Sequence, residues 1–367
     1  MRNGRAAGGP VFGLRKRDLT REFPVSANRP RLPYPDGWFA VAFSGDVRPG
    51  QVVRRRFKGE DIVVYRTRQG TVRVVNPYCP HLGAHLGFGG RVEGENLVCP
   101  FHHFAFAPDG RCVRTGYGTR PPKASLTQLT AREVNGVVMV WSHARGEAPS
   151  WDVPVVPAQD FPPPARHSTI LIDHPQEVVE NSVDIGHFGP VHGTSGARVT
   201  KPLELNGPRL TLGTSVHRTT PLLGRFDVDF DVEANGLGHI HVIARMPRMG
   251  LSALVQIMPT PLDPCRIETR FTVSARLGTA GSRAGRYSSW LATQFFALPS
   301  WQGAAQDAPI WQNKTYLRHP RIARGDGPIM RFRHWAEQFY PDEFREIGEA
   351  AEVSDPLPFE KGPHGSA

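Results

Sequence analysis

Cys79, His81, Cys99 and His102 follow one another as C-x-H-x17-C-x2-H within the stretch NPYCPHLGAHLGFGGRVEGENLVCPFHHFAF. Two thiolates and two imidazoles could hold zinc tetrahedrally, but common Cys2His2 zinc sites group cysteine with cysteine and histidine with histidine. Here each loop supplies one of each. That pairing suits a two-iron cluster with both thiolates on one iron and both imidazoles on the other. Neutral imidazoles in place of two thiolates raise the reduction potential, so such a centre accepts electrons from a more reducing partner. Gly83, Gly87, Gly89 and Gly90 let backbone amides approach the bridging sulfides, and Pro80 and Pro100 stiffen the loops. The bland alternative, two core cysteines with incidental histidines, requires four ligand types to coincide at this spacing by chance. His85 and His103 lie close by; the x2 spacing favours His102 and leaves His103 a surface neighbour.

A second constellation, Asp184, His187 and His192, reads D-x2-H-x4-H in ENSVDIGHFGPVHGT. On a helix Asp184 and His187 share a face. His192, five residues beyond His187, would point about 140° away. Gly189-Pro190 between the histidines would break or distort the helix, which could swing His192 back toward His187. Two histidines and one carboxylate leave coordination positions open, as a mononuclear iron(II) needs in order to bind O2 beside a substrate. Taken alone, the motif is equally well explained by two helix-end histidines with ordinary hydrogen bonds. His239 and His241 alternate along one strand with no third ligand in sight, which reads as pocket lining or sheet surface.

These residues need elements to position them. From Pro35 to about Trp141 the chain alternates short β runs with turns, and Gln69-Gly70 and Asp109-Gly110 are hairpin signals. This is a compact antiparallel β unit. The proline-rich GEAPSWDVPVVPAQDFPPPAR cannot hold a helix and separates this unit from the rest of the chain. Beyond it, QEVVENSVDIGHF has helical composition, and strands are expected over 224–234, 238–246, 251–259 and 266–275. A helical stretch from about 283 to 318 precedes IMRFRHWAEQFY, where Phe332, Trp335 and Phe339 share a face. A curved antiparallel sheet packed on one or two long helices fits this order, so the fold class is α+β.

With 367 residues and 39 % apolar side chains, two domains are expected. The divisions are an N-terminal extension 1–34, a β domain 35–145, a proline-rich connection 146–165, a second domain 166–350 and a tail 351–367. The longest apolar runs are too short to span a bilayer, and no apolar h-region follows the basic N-terminus. A cytoplasmic, reducing compartment is expected, and four cysteines argue for metal or redox use over disulfides. The net charge of +10 is spread along the chain, and its clusters, Arg15/Lys16/Arg17/Arg21 and Arg54/Arg55/Arg56/Lys58, lack interleaved aromatics. Nucleic acid is therefore not an expected partner; the clusters read as a solvated basic face, with attraction for an acidic protein as the functional alternative.

The cluster segment resembles the Rieske family. Leu82-Gly83-Ala84 after the first histidine leaves no cysteine for the extra disulfide of respiratory-complex members, and more than 200 residues follow the β domain. Over residues 35 to 345 or so, the chain resembles the catalytic component of Rieske non-haem iron oxygenases. QDAPIWQNKTY, DGPIMRFRHWAEQFY and YPDGWFAVAF are similar to the branch of 3-ketosteroid 9α-hydroxylase oxygenases and cholesterol 7-desaturases. The resemblance implies a helix-grip, START-like second domain. It implies a Rieske [2Fe–2S] cluster on Cys79, His81, Cys99 and His102, and a mononuclear iron held by His187, His192 and an acid on a late helix. Asp307 is the choice, since its largely apolar helical surroundings make an unpaired carboxylate costly; its alternative is a surface pair with Lys314 or an arginine. Asp184 would bridge an iron histidine to a cluster histidine of a neighbouring subunit in a head-to-tail ring, a homotrimer. Asn181 matches a position near that electron path.

The implied activity is hydroxylation or desaturation of a bulky apolar, steroid-like substrate with O2, using electrons from a ferredoxin or ferredoxin reductase. NAD(P)H would serve only that reductase, since no G-x-G-x-x-G follows a strand here. Pocket candidates are the strands over 238–259 and Trp290, Phe295, Phe296 and Trp301. Competing readings are an oxygenase acting on aromatic or terpenoid compounds, and an electron carrier or lipid-binding protein whose iron site is lost. A zinc-stabilised binding protein is a further alternative.

Overall fold

The computed structural model describes residues 32–220, 224–278 and 283–342. Nearly all of the expected N-terminal extension, with its basic cluster from Arg15 to Arg21, and the whole tail 351–367 lie outside the described residues. The first half consists of short β-branched runs separated by glycine turns: β1 (Gly37–Phe43), β2 (Val52–Phe57), β3 (Glu60–Arg66), β4 (Val72–Val75), β5 (Arg91–Glu93), β6 (Asn96–Val98), β7 (Ala105–Phe106), β8 (Cys112–Arg114), β9 (Gln128–Leu129), β10 (Ala131–Val134) and β11 (Val137–Ser142). They make three antiparallel sheets, β1-β11-β10, β2-β3-β4-β9 and β5-β6-β7-β8. Gln69-Gly70 turns β3 into β4 and Asp109-Gly110 turns β7 into β8, with φ of 99° and 90° at the two glycines. Phe39, Val41, Val64, Val74, Val138 and Val140 fill the space between the first two sheets.

The second half is a single seven-stranded antiparallel sheet. Its strands are β12 (Ala165–Leu171), β13 (Ser195–Asn206), β14 (Arg209–Thr220), β15 (Gly224–Asn235), β16 (His239–Met246), β17 (Leu251–Asp263) and β18 (Arg266–Leu277), in the order β12-β18-β17-β16-β15-β14-β13. Two short helices, α1 (Pro175–Glu180) and α2 (Phe188–His192), lie between β12 and β13, and α3 (Arg283–Asn313) and α4 (Ile329–Ala336) follow the sheet. Side chains alternate across the strands. Val232 and Ala234 of β15 therefore face inward onto Trp311 of α3 and Phe332 and Trp335 of α4, while Asp231, Glu233 and Asn235 face the other way. Phe339 joins Phe332 and Trp335 in the same core, as their spacing predicts.

Three strands, β12, β13 and β14, went unread in the sequence. Edge strand β13 has no apolar alternation, is mostly exposed, carries Lys201-Pro202, and pairs with β14 through three interruptions of register. The helical reading of QEVVENSVDIGHF holds only as far as Glu180, after which the chain turns. Helix α3 ends at Asn313, short of the expected 318.

The two halves are clamped together. β1 bulges between Ala40 and Ala42, and the carbonyls of Ala40 and Val41 are taken up by the second half. Thr260 Oγ1 donates to Ala40 O at 2.6 Å, and the fully buried Arg270 donates to Ala40 O and, at 3.0 Å, to Val41 O. The backbones also meet directly, Lys58 N to Pro261 O at 2.9 Å and Gly59 N to Leu262 O at 2.8 Å. At Gly238 a Cβ would lie 2.1 Å from the Trp38 carbonyl oxygen, so glycine permits this closeness.

Candidate metal centres

The first centre is built from two tight loops, one between β4 and β5 and one between β6 and β7. Cys79 N donates to Ala84 O and Gly83 N to Cys79 O, while Cys99 N donates to Phe104 O, each at 2.9 Å. Both thiols are buried in a core with Tyr65, Leu86, Leu97 and Phe106. Burial pushes the Cys79 thiol up to about 11; the His81 and Leu82 amides pull against that, and the adjacent Cys99 sulfur adds to it. The two imidazoles are only partly covered, with ring centroids 4.8 Å apart and His81 stacked on Phe104 at 4.2 Å. Around them Leu82, Phe101 and Tyr117 are each more than half exposed. The set is thus a buried thiol pair and a surface-facing imidazole pair, the polarity a two-iron cluster requires. His85 turns away, its Nε2 3.2 Å from Asp61 and its Nδ1 accepting from Gly87 N. His103 is exposed at φ 55°.

In the second centre, His187, His192 and Asp307 bring one ligand atom each to within 4.8 Å of one another. His187 caps α2 and His192 closes it, with ring centroids 5.0 Å apart. Gly189-Pro190 does not break the helix between them. It lies in the first turn of α2, where a missing amide costs nothing; the break comes earlier, in the turn before His187. His187 Nδ1 donates to Asp184 O at 2.7 Å, which leaves Nε2 free to face Asp307. Burial lowers the basicity of His187, but Asp184 and Asp307 more than offset it, and its pKa is raised. His192 Nε2 is 3.4 Å from Asp307 Oδ1, and its Nδ1 lies 3.0 Å from Gln306 Oε1. Asp307 itself is 6 % exposed. Burial raises its pKa while the two imidazoles pull it down. Its alternative partner Lys314 is engaged by Glu177 and Glu180 instead. Asn181 Nδ2 donates to Asp307 Oδ2 at 3.2 Å and lies 3.4 Å from His187 Nε2.

Sequence reasoning passed over several supports. Gln306, adjacent to the chosen acid, orients His192. The 323–327 loop carries the Asp184 turn: Ile185 N donates to Asp326 O, and a Cβ on Gly327, at φ 97°, would lie 2.2 Å from Val183 O. An isolated glycine far along the chain gives no signal of this. The pocket candidates divide. Phe296 packs with Phe188, Phe230 and Met249 on an apolar cluster of β14 to β18, and Trp301 stands 5.2 Å from His167, but Trp290 and Phe295 point outward. His239 and His241 are buried on the opposite face, so sheet surface is the wrong description for them. There His239 bonds Gln256, and His241 lines a charged cleft of about 900 Å³ beneath Asp152–Pro157.

Residues 37–127 match the Rieske [2Fe-2S] domain, and residues 140–340 match the 3-Ketosteroid 9alpha-hydroxylase C-terminal domain. The chain belongs to the Rieske oxygenases. It is 30 % identical to a cholesterol 7-desaturase of Bombyx mori, over 84 % of this chain and 70 % of that one. It is 26 % identical to the Rhodococcus rhodochrous protein named Probable 3-ketosteroid-9-alpha-monooxygenase, oxygenase component, over 87 % and 83 %. Dicamba monooxygenase bound to dicamba shares the fold with a TM-score of 0.68 at 16 % identity, covering 87 % of this chain and all of that one. As a Rieske oxygenase this chain is an oxidoreductase with an N-terminal Rieske β domain and a C-terminal catalytic domain. The family's two cofactors, a [2Fe–2S] cluster and an iron, fit the residues present: paired buried thiols on one side, a buried carboxylate between two imidazoles on the other.

Proposed function

We propose that this chain is a terminal oxygenase that hydroxylates or desaturates a bulky apolar, steroid-like substrate. Cys79, His81, Cys99 and His102 would hold the cluster and His187, His192 and Asp307 the iron. When bound, the cluster supplies single electrons and the iron supplies O2 chemistry. The residues around them define the rest. Asp184 fixes the His187 tautomer through its carbonyl and keeps its carboxylate about one-third exposed, which suits a bridge to a cluster histidine of a second copy. The uncovered Leu82, Phe101 and Tyr117 around His81 and His102 suit the matching contact, in a head-to-tail trimer. Asn181 holds one carboxylate oxygen of Asp307, and Gln306 holds the outer nitrogen of His192.

The observation that carries the substrate class is Phe188. It follows His187, stacks parallel to Phe230 at 6.1 Å, and joins an apolar cluster running through Phe226, Val228, Met246 and Phe296. Large apolar side chains beside the iron site favour a mostly apolar molecule with few hydrogen-bonding groups. The steroid names of the relatives agree with this. Electrons would come from a ferredoxin or ferredoxin reductase, with NAD(P)H used only there, in the cytoplasm. The test is a reconstituted assay with surrogate ferredoxin and reductase, scoring O2 uptake and product mass over steroids, terpenoids and simple arenes. Turnover confined to small arenes would overturn the steroid reading.

A further inference from the structure

The first four turns of α3 invert the usual rule for a surface helix. Ser289 and Thr293, on the buried side, bond to the β18 backbone at Leu277 and Ala275. Tyr287, Trp290, Leu291 and Phe295 point to solvent, with relative exposures of 64, 45, 47 and 77 %. At 100° per residue these four fall within an arc of about 140°. Tyr287 and Trp290 stack at 6.0 Å, which makes the face a preassembled aromatic slab. An apolar patch of this kind on a soluble domain marks an interaction surface.

Two further observations say what covers it. The β16-β17 connection and the neighbouring ends of β14, β15 and β18 all lie at the same end of the sheet as this part of α3. They present the exposed Arg218, Arg225 and Arg248, the last of which donates to Arg225 O at 2.8 Å. Of the acids there, Asp227 is engaged by His217, and Asp229 also lies on β15. The second observation is continuity. Ala292 and Phe296, on the next strip of the same helix, belong to the apolar cluster that reaches Phe188 beside His187. Aromatic and aliphatic groups on one face, cations at the rim and an apolar way inward match a helix lying in the interface of an anionic bilayer. No helix among the described residues is long and apolar enough to cross a membrane, so contact would be with the surface alone.

We propose that the Tyr287–Phe295 face of α3 seats on an anionic lipid surface, so that an apolar substrate dissolved there enters along Ala292 and Phe296 without passing through water. This deepens the apolar-substrate reading and rests on it.

Full-length holoprotein is floated with vesicles of phosphatidylcholine, alone or mixed with phosphatidylglycerol. Binding is expected to the mixed vesicles, with Trp fluorescence quenched by brominated lipid and that quenching reduced in Trp290→Phe. Leu291→Gln/Phe295→Gln, which leaves the iron site and the inward strip intact, should weaken binding roughly tenfold or more. Its turnover of cyclodextrin-carried steroid should be unchanged. Arg225→Gln/Arg248→Gln should weaken binding mainly at low salt. No binding by the parent protein, or equal binding by the Leu291/Phe295 variant, would overturn the proposal. So would a variant that binds normally but sediments as a smaller assembly, since the face would then belong to a second copy. Vesicle binding is read without turnover, so failure of the steroid assay alone would overturn the substrate reading and leave the surface attachment standing.

Discussion

Asn181 and Asp307 are joined by a 3.2 Å hydrogen bond across the candidate iron site, from the side-chain amide to Oδ2. The bond holds the acid's second oxygen while its first lies 3.4 Å from His192. Partners that orient a ligating carboxylate typically change metal affinity 10- to 100-fold when removed. Asn181→Ala should therefore lower retained mononuclear iron by about tenfold or more while the cluster's visible spectrum is unchanged. Full iron occupancy at limiting metal would show that the amide does not position Asp307.

The two centres should be separable by mutation. Cys79→Ser should lose the cluster colour and its acid-labile sulfide, whereas His187→Ala should keep both and lose the mononuclear iron and product formation. Zinc in place of iron in the parent protein, or unchanged turnover in His187→Ala, would contradict the ligand sets.

Asp184→Asn retains an oxygen to accept from His187 N–H, now at 3.3 Å, and leaves the carbonyl bond to His187 Nδ1 in place. Both metals should remain. If the carboxylate couples neighbouring subunits, single-turnover product formation should fall by about 100-fold, the size of loss that imprecise positioning at a reacting site can cause. A chain that is active as a strict monomer would exclude this role.

The buried Arg270 holds two carbonyls of the β1 bulge and the Glu268 carboxylate. Truncation leaves the half-buried Glu268 without its cation and removes the donor to Val41 O and one of two donors to Ala40 O. Arg270→Ala should cost about 3–5 kcal/mol in denaturant unfolding. A loss below about 1 kcal/mol would mean that the clamp is dispensable.

His239 is fully buried and His174 is partly buried, and desolvation holds each near a pKa of about 4 against an ordinary 6.5. Both are neutral in the folded chain, while the unfolded chain takes up their protons below 6.5. Stability is therefore full above that pH and falls progressively toward 4. By pH 5 the loss is on the order of 2 kcal/mol per histidine. Urea midpoints at pH 7, 6 and 5 check the sign, and His239→Gln should flatten the dependence. A midpoint independent of pH over this range would show that the two imidazoles are not desolvated.

The candidate cluster set was visible as a group because its four residues sit in two short neighbouring loops, so that spacing alone brings them together. The proposed iron site was visible in its local half. His187 and His192 share one segment, but Asp307 arrives from α3, and only the apolar context of its helix pointed to it. The mechanism assigned to Gly189-Pro190 was wrong because a proline in a first helical turn breaks nothing. Trp290 and Phe295 were misplaced for a different reason: aromatic content identifies a helix as sticky without saying which side is out. β13 shows no pattern because both faces of this edge strand are largely in water, so nothing imposes alternation, and Gly327 shows none because close backbone approach leaves no local trace.

β13 is one rim of the seven-stranded sheet, and its pairing with β14 is interrupted three times, with Pro202 removing a further amide. An unbroken rim would offer a ladder on which another chain could add strands without limit. This rim offers only scattered donors and acceptors, and the opposite rim, β12, lies under α3. Any association between copies of this protein is therefore steered away from ribbon growth and toward side-chain contacts, so that it would close at a fixed number rather than run on into fibres.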